Sequence, residues 1–235
     1  MSVIPTSFRS RVRTGVEPIA RLFGRVGLTP NMLTLIGFVI AGVGAWLAST
    51  QAWLLAGLVV AFGAIFDLFD GALARATNRT SNFGAFLDST MDRAGEAVVY
   101  IGIVAGAMAY PSGSMNKAVI VASAAAMAAA FMVSYTRARS ESLGFSAGAG
   151  MASVGLAPRE VRTAVLVIGL VLAGNTPLEV APPPGQLCID ICWSPGAPIL
   201  LGALALIAIL ATITTIQRII FTYSQSRSSK QEVPH

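Results

Sequence analysis

Residues 64–100 read AIFDLFDGALARATNRTSNFGAFLDSTMDRAGEAVVY, and this stretch decides both fold and chemistry. Four acids, Asp67, Asp70, Asp88 and Asp92, sit in two otherwise apolar segments. The first pair closes one apolar run and the second pair opens the next. Ionised groups so placed are costly in a membrane, and are kept for function or paired with opposite charge. Asp67, Asp70, Gly71 and Ala74 recur at i, i+3, i+4 and i+7, on one face of a helix. Gly84, Asp88 and Asp92 recur at i, i+4 and i+8 on one face of the next. The short connection predicts antiparallel neighbours whose acidic faces meet. Four carboxylates then converge at one end of the pair. Like charges cannot share a small site without a neutralising partner. Oxygen donors of this kind suit a hard divalent cation, Mg²⁺ above all beside phosphate. Gly71, Ala74 and Gly84 clear room for a ligand, and Arg75 stands two turns from Asp67, where it can pair with a diphosphate.

Outward from this stretch the chain is strongly apolar. Of its 235 residues 54% are hydrophobic and 11% charged, and the mean hydropathy is +0.71. Soluble domains carry about a quarter charged residues. The composition excludes an ordinary soluble enzyme and a disordered chain, and it predicts an all-α integral membrane protein. Six apolar spans fall near 32–50, 52–74, 84–109, 118–137, 162–178 and 197–221. Residues 1–30 read as a basic amphipathic helix in the interface, with Ile19, Leu22, Phe23 and Val26 at helical spacing. Nothing in them reads as a cleaved signal peptide. Residues 31–222 form the membrane catalytic domain and 223–235 a polar tail.

The net charge of +5 reflects topology, not nucleic acid, because the arginines flank apolar spans. Arg75, Arg79, Arg137, Arg139, Arg159, Arg162, Arg218 and Arg227 all fall on one side, with the N-terminal arginines. That side is cytoplasmic by the positive-inside rule, so both termini and the acidic site face the cytoplasm of a cell membrane. Cys188 and Cys192 fall in the opposite loop, where a disulfide is chemically allowed. The single histidine, His235, excludes histidine-based catalysis.

Two alternatives compete with a catalytic reading. The acids can simply pair with Arg75, Arg79 and Arg93. They can also line the path of a divalent-cation transporter, although they cluster at one face and not at the midplane. Glu96 extends the Asp88–Asp92 face by one turn, where it can support the site's aspartates or pair with an arginine, the simpler reading.

The pattern Asp67-x2-Asp70-Gly71-x2-Ala74-Arg75-x8-Gly84-x3-Asp88-x3-Asp92 resembles the signature of the CDP-alcohol phosphotransferases. The resemblance implies transfer of a phosphoalcohol group from a CDP-linked donor to an alcohol, with release of CMP. It implies two Mg²⁺ ions per site, or Mn²⁺ in their place. One would be held by Asp67, Asp70 and Asp88, the other by Asp67, Asp88 and Asp92, with Asp92 also the general base. It further implies a CDP-lipid site at Gly71, Arg75, Ser81 and Gly84, bordered by Asn31, Met32, Leu33 and Thr34, and a homodimer in the membrane. The small residues of the fourth span, ASAAAMAAA, suit close helix packing.

The acceptor must be read elsewhere. SYTRARSES, GLAPREVR and TIQRII carry Arg137, Arg159, Arg162 and Arg218 at cytoplasmic span ends. Clustered arginines suit an anionic acceptor. They are similar to the phosphatidylinositol phosphate synthase branch, which implies CDP-diacylglycerol as donor and inositol 1-phosphate as acceptor. Glycerol 3-phosphate is the runner-up. Where that branch has Glu-Arg-Pro-Glu-Arg, this chain has Ala157-Pro158-Arg159-Glu160-Val161-Arg162, which leaves either Arg159 or Arg162 as the ligand.

Overall fold

A computed structural model describes residues 22–77, 80–109, 114–145, 154–176 and 196–231. Six long helices carry the architecture of the described residues. They are α1 (Pro30–Ser49), α2 (Trp53–Ala76), α3 (Asn82–Met108), α4 (Ser114–Ser142), α5 (Arg159–Gly174) and α6 (Ala197–Gln231). Each of the six predicted spans overlaps one of them, although the span predicted at 162–178 runs past the end of α5 at Gly174. The polar tail expected from residue 223 is the continuation of α6 as far as Gln231. Of the interfacial helix expected over 1–30, the described part is a helical turn at 22–25. Phe23 there packs edge-on against Phe69 of α2, and beside Phe66. Residues 26–29 are turn and extended chain leading into α1, and residues 1–21, Arg79, Cys188 and Cys192 lie outside the described residues.

Local sequence sets the helix starts. The Thr29 hydroxyl accepts from the Met32 amide and caps α1, and Pro30 occupies the first turn, where its missing N–H costs nothing. The Ser81 hydroxyl accepts from the Gly84 amide at 3.0 Å and caps α3. Gln51 turns the chain tightly between α1 and α2 with φ 63°, and its side-chain amide donates to the Gly106 carbonyl of α3 at 2.9 Å.

Among the described residues, four stretches are long and apolar enough to cross a bilayer: Pro30–Ser49, Trp53–Ala76, Ser114–Ser142 and Ala197–Arg227. The other two helices differ for identifiable reasons. α3 carries Asp88, Asp92, Arg93 and Glu96 in its first half, and α5 has 16 residues. At about 1.5 Å per residue, α5 is shorter than a hydrocarbon core of about 30 Å.

The helices pack as α1 on α2 and α3, α2 on α5, α3 on α4, α4 on α6 and α5 on α6. The core holds Trp53, Val60, Tyr100, Ile103, Leu170, Leu200 and Leu204. α1 approaches α3 closely because Gly102 has no side chain; a Cβ there would collide with the Ala45 carbonyl.

One expectation is corrected. α2 and α3 do not pack face to face as antiparallel neighbours. They have at most marginal direct contact, and α1 packs against both. The acidic residues on each face explain this. Two carboxylate-bearing faces in direct contact would bury uncompensated charge.

Candidate active site

The four aspartates line two cavities that share Thr34 as a wall. Asp67 and Asp92 line one cavity of about 60 Å³, with Thr34, Gly37, Glu96, Arg159 and Arg162 among its walls. Asp70 and Asp88 line a second cavity of about 200 Å³, with Asn31, Thr34, Gly71, Arg75, Ser81 and Gly84. Thr34 belongs to both walls.

A cation already stands in the first pair. Arg159 Nη1 lies 2.7 Å from Asp92 Oδ1, and Arg159 Nη2 lies 2.6 Å from Asp67 Oδ2. The guanidinium thus bridges α2 and α3 from the first residue of α5. Three bonds place that residue. The Ala157 amide donates to Thr214 Oγ1 at 2.9 Å, Arg218 Nε donates to the Val154 carbonyl at 3.1 Å, and Arg162 Nη1 donates to the Ala157 carbonyl at 3.0 Å. The turn before α5 is therefore fastened to α6 and to α5 itself.

Asp70 is 7% exposed. Its Oδ2 accepts from Thr34 Oγ1 at 2.8 Å, and its Oδ1 accepts from the Gly71 amide. A buried carboxylate without such donors would cost several kcal/mol. Gly37 of α1 faces Asp67 so closely that a Cβ would sit 2.7 Å from Asp67 Oδ1. Gly71 leaves room for Arg75, since a Cβ there would meet Arg75 Nη1 at 3.3 Å.

Behind Asp92 lies a buried ionic network. Arg162 is 1% exposed. It forks onto Glu96, Nε to Oε1 at 3.0 Å and Nη2 to Oε2 at 2.9 Å. Glu96 Oε2 also accepts from Arg93 Nη1 at 3.2 Å, and the same nitrogen donates to Ser134 Oγ of α4 at 2.7 Å. Arg93 Nη2 lies 3.7 Å from Asp92 Oδ2.

The predicted residues divide accordingly. Asn31, Thr34, Gly71, Arg75, Ser81 and Gly84 come together around one cavity as expected. Met32 and Leu33 do not line it. Met32 is 45% exposed, and Leu33 is buried against Ala72 and Leu73, because their side chains leave α1 on other faces. Arg159 reaches the aspartates. Arg162, the other acceptor ligand considered, is instead bound to Glu96 and a backbone carbonyl. Arg218 is buried and donates to the Val154 and Val133 carbonyls. Arg137 pairs with Glu141 one turn on at 2.9 Å. The expected pairing of the acids with neighbouring arginines holds for Asp92 and Arg93 at long range; Asp67 and Asp92 take Arg159 from a distant segment.

The four carboxylates lie within electrostatic reach of one another, Asp88 of Asp67 and Asp70, and Asp92 of Asp67 and Asp88. Among the described residues no three acidic, histidine or cysteine side chains are gathered to hold a metal ion. The donor set itself fits a hard divalent cation. It is oxygen-only and anionic, and the guanidinium between Asp67 and Asp92 occupies the place of a positive charge.

Gly37, Ser134 and Thr214 were not singled out by sequence reasoning, whereas Glu96 was, and it pairs with Arg93 and Arg162. Gly37 had a signal: Thr34, Gly37 and Ala41 form a small-residue stripe on the face of α1 that lines the Asp67–Asp92 cavity.

Apolar helices surrounding a cleft lined by carboxylates and arginines define a multi-pass membrane protein. The profile of the CDP-alcohol phosphatidyltransferases matches residues 27–224, and the chain belongs to that family. It is accordingly a transferase, which removes the transporter alternative. It is 37% identical over 163 residues to the archaetidylinositol phosphate synthase of Pyrococcus horikoshii, covering 69% of this chain and 80% of that protein. It is 34% identical over 222 residues to the phosphatidylinositol phosphate synthase of Streptomyces avermitilis, covering 94% and 81%. Among solved structures, the phosphatidylinositol phosphate synthase of Mycobacterium tuberculosis with manganese and citrate superposes with TM-score 0.71 at 28% identity, covering 89% of each chain. The same enzyme with CDP-diacylglycerol bound gives 0.70 at 26%, covering 89% and 94%.

Proposed function

We propose that the protein moves a phosphatidyl group from CDP-diacylglycerol to a hydroxyl of inositol 1-phosphate, giving phosphatidylinositol phosphate and CMP. The observation that carries this reading is Arg159 standing against Asp92. It sets the cation expected on the acceptor phosphate beside the carboxylate expected to take the acceptor's proton. The relatives support the acceptor, since the archaeal and bacterial proteins differ in the lipid part of their names and share inositol phosphate. The neighbour holding CDP-diacylglycerol supports the donor, and the one crystallised with manganese supports a divalent cation.

The larger cavity receives the CDP head, with Asn31, Thr34, Gly71, Arg75, Ser81 and Gly84 around it. Met32 and Leu33 contribute through the helix they build. Asp67, Asp70 and Asp88 would hold one Mg²⁺, and Asp67, Asp88 and Asp92 a second, with Mn²⁺ as a substitute. The bound cations would neutralise charge on the diphosphate as its bond to CMP breaks. Asp92 accepts the proton of the attacking hydroxyl, whose oxygen bonds to the lipid-side phosphorus while CMP departs with the bonding electrons. Arg159, with Arg137 and Arg218, holds the acceptor phosphate. Arg162 supports the site from beneath.

All six helices cross the plasma membrane, with both termini and the site on the cytoplasmic side. The charged half of α3 is accommodated because Asp92, Arg93 and Glu96 find partners inside the bundle. Arginines at the site end of α2, α4, α5 and α6 support that orientation. The small-residue face of α4 supports a homodimer. Residues 1–30 lie on the membrane, 31–222 catalyse, and 223–235 form a polar end.

Purified protein in detergent, given CDP-diacylglycerol and Mg²⁺, is expected to release CMP with inositol 1-phosphate and not with serine or without an acceptor. Release with glycerol 3-phosphate alone would keep the family chemistry and overturn the acceptor.

A further inference from the structure

Six charged groups form one alternating chain: Asp67, Arg159, Asp92, Arg93, Glu96 and Arg162. Its two ends differ in purpose. Asp67 and Asp92 share Arg159 in the cavity, whereas the ion pairs of Glu96 are with Arg93 and Arg162. Glu96 is the carboxylate that both Arg93 and Arg162 share. Its side chain is 11% exposed, so water gives it little screening.

Consider what its charge prevents. Arg93 Nη1 is drawn 3.2 Å from Glu96 Oε2, which leaves Arg93 Nη2 3.7 Å from Asp92 Oδ2, beyond hydrogen-bond length. Without the Glu96 charge, the nearest carboxylate to Arg93 is Asp92. A guanidinium closing on Asp92 would occupy the oxygen that Arg159 leaves free. On its other side Glu96 fixes Arg162, whose Nη1 holds the Ala157 carbonyl two residues before Arg159.

We propose that Glu96 is a positioning residue for Asp92: its carboxylate restrains Arg93 so that Asp92 keeps an oxygen free for a cation and for the acceptor's proton. This rests on the metal and base roles proposed above for Asp92. Glu96 acts through Arg93, from the wall of the Asp67–Asp92 cavity.

The test has a readout independent of turnover. Mn²⁺ binding to purified protein in detergent is titrated for wild type, Glu96→Gln, Arg93→Gln and the double variant, and kcat and KM are measured alongside. Glu96→Gln is expected to weaken Mn²⁺ binding and lower kcat by about tenfold or more, the usual scale for groups that orient metal ligands. KM for the CDP-lipid stays unchanged. Arg93→Gln in the Glu96→Gln background recovers most of the Mn²⁺ affinity, because the competing guanidinium is gone. A purely structural role for Glu96 predicts no such recovery. Wild-type Mn²⁺ affinity in Glu96→Gln, or a double variant no better than Glu96→Gln, overturns the inference. Wild-type protein that binds no Mn²⁺ overturns the metal reading itself, and this inference with it. If Glu96→Gln does not fold, Glu96→Asp replaces it. Its shorter side chain cannot serve both arginines, so affinity falls by a smaller factor, and unchanged affinity overturns the inference.

Discussion

Arg159 and Asp92 meet at 2.7 Å, joining the first residue of α5 to the carboxylate that closes the acidic motif of α3. The same guanidinium reaches Asp67 of α2. One side chain therefore couples three helices at the reacting centre. Charge-assisted contacts of this length are among the stronger polar interactions in proteins.

Replacing Arg159 should therefore act in two directions. Arg159→Ala is expected to raise the KM for inositol 1-phosphate by at least tenfold. The same change is expected to tighten Mn²⁺ binding in the absence of acceptor, because it removes a cation that competes for Asp67 and Asp92. Arg159→Lys should recover little, since an ammonium cannot fork across two carboxylates. Titration with Mn²⁺ and acceptor kinetics check both directions. Weaker Mn²⁺ binding in Arg159→Ala would contradict the competition.

Thr34 provides the sharpest isosteric probe. Thr34→Val removes the hydroxyl that donates to Asp70 at 2.8 Å and keeps the shape of the side chain. A buried acceptor deprived of its donor costs about 1–3 kcal/mol. The expected result is a higher Mg²⁺ concentration for half-maximal CMP release. An unchanged Mg²⁺ requirement would show that the bond does not position Asp70.

Gly37 should tolerate no side chain. A Cβ would stand 2.7 Å from Asp67 Oδ1, so Gly37→Ala must displace that carboxylate. CMP release is expected to fall by about tenfold or more, the range seen when groups around metal ligands shift. Thermal unfolding in detergent should change little. Full activity in Gly37→Ala would mean that Asp67 has freedom the account denies it.

Arg162 is predicted to be a stability residue and not an acceptor ligand. Arg162→Leu leaves Glu96 without its fork and frees the Ala157 carbonyl. Breaking one partner of a buried pair costs about 3–5 kcal/mol. A lowered melting temperature is expected, with loss of activity following loss of folded protein. A stable variant with only a raised acceptor KM would restore Arg162 as a ligand.

Much of this architecture was legible in the sequence. The apolar runs located all six helices, because each element had to cover its backbone polar groups within itself. The motif located Asp67, Asp70, Asp88 and Asp92, and spacing alone put Gly71, Arg75 and Gly84 on their faces. What spacing could not supply was the third dimension. It brought α2 and α3 together, whereas α1 packs against both and α5 sends in Arg159. A helical face says which residues point one way, not which element they meet. Arg159 and Arg162 were indistinguishable as arginines at the start of one helix. Their separation comes from a rotation of three residues along α5, which turns one onto the aspartates and the other onto Glu96. Met32 and Leu33 carried an expected role by position in a segment, and their side chains fall on other faces of α1.

The central claim is the transfer itself, with Asp92 taking the proton. The most direct measurement is mass analysis of the lipid formed by purified protein from CDP-diacylglycerol, inositol 1-phosphate and Mg²⁺, beside Asp92→Asn. The account predicts phosphatidylinositol phosphate and an equal amount of CMP from wild type, and neither from Asp92→Asn or with chelator present. Phosphatidylinositol phosphate formed at the wild-type rate by Asp92→Asn, or no such lipid from folded wild-type protein, would contradict it.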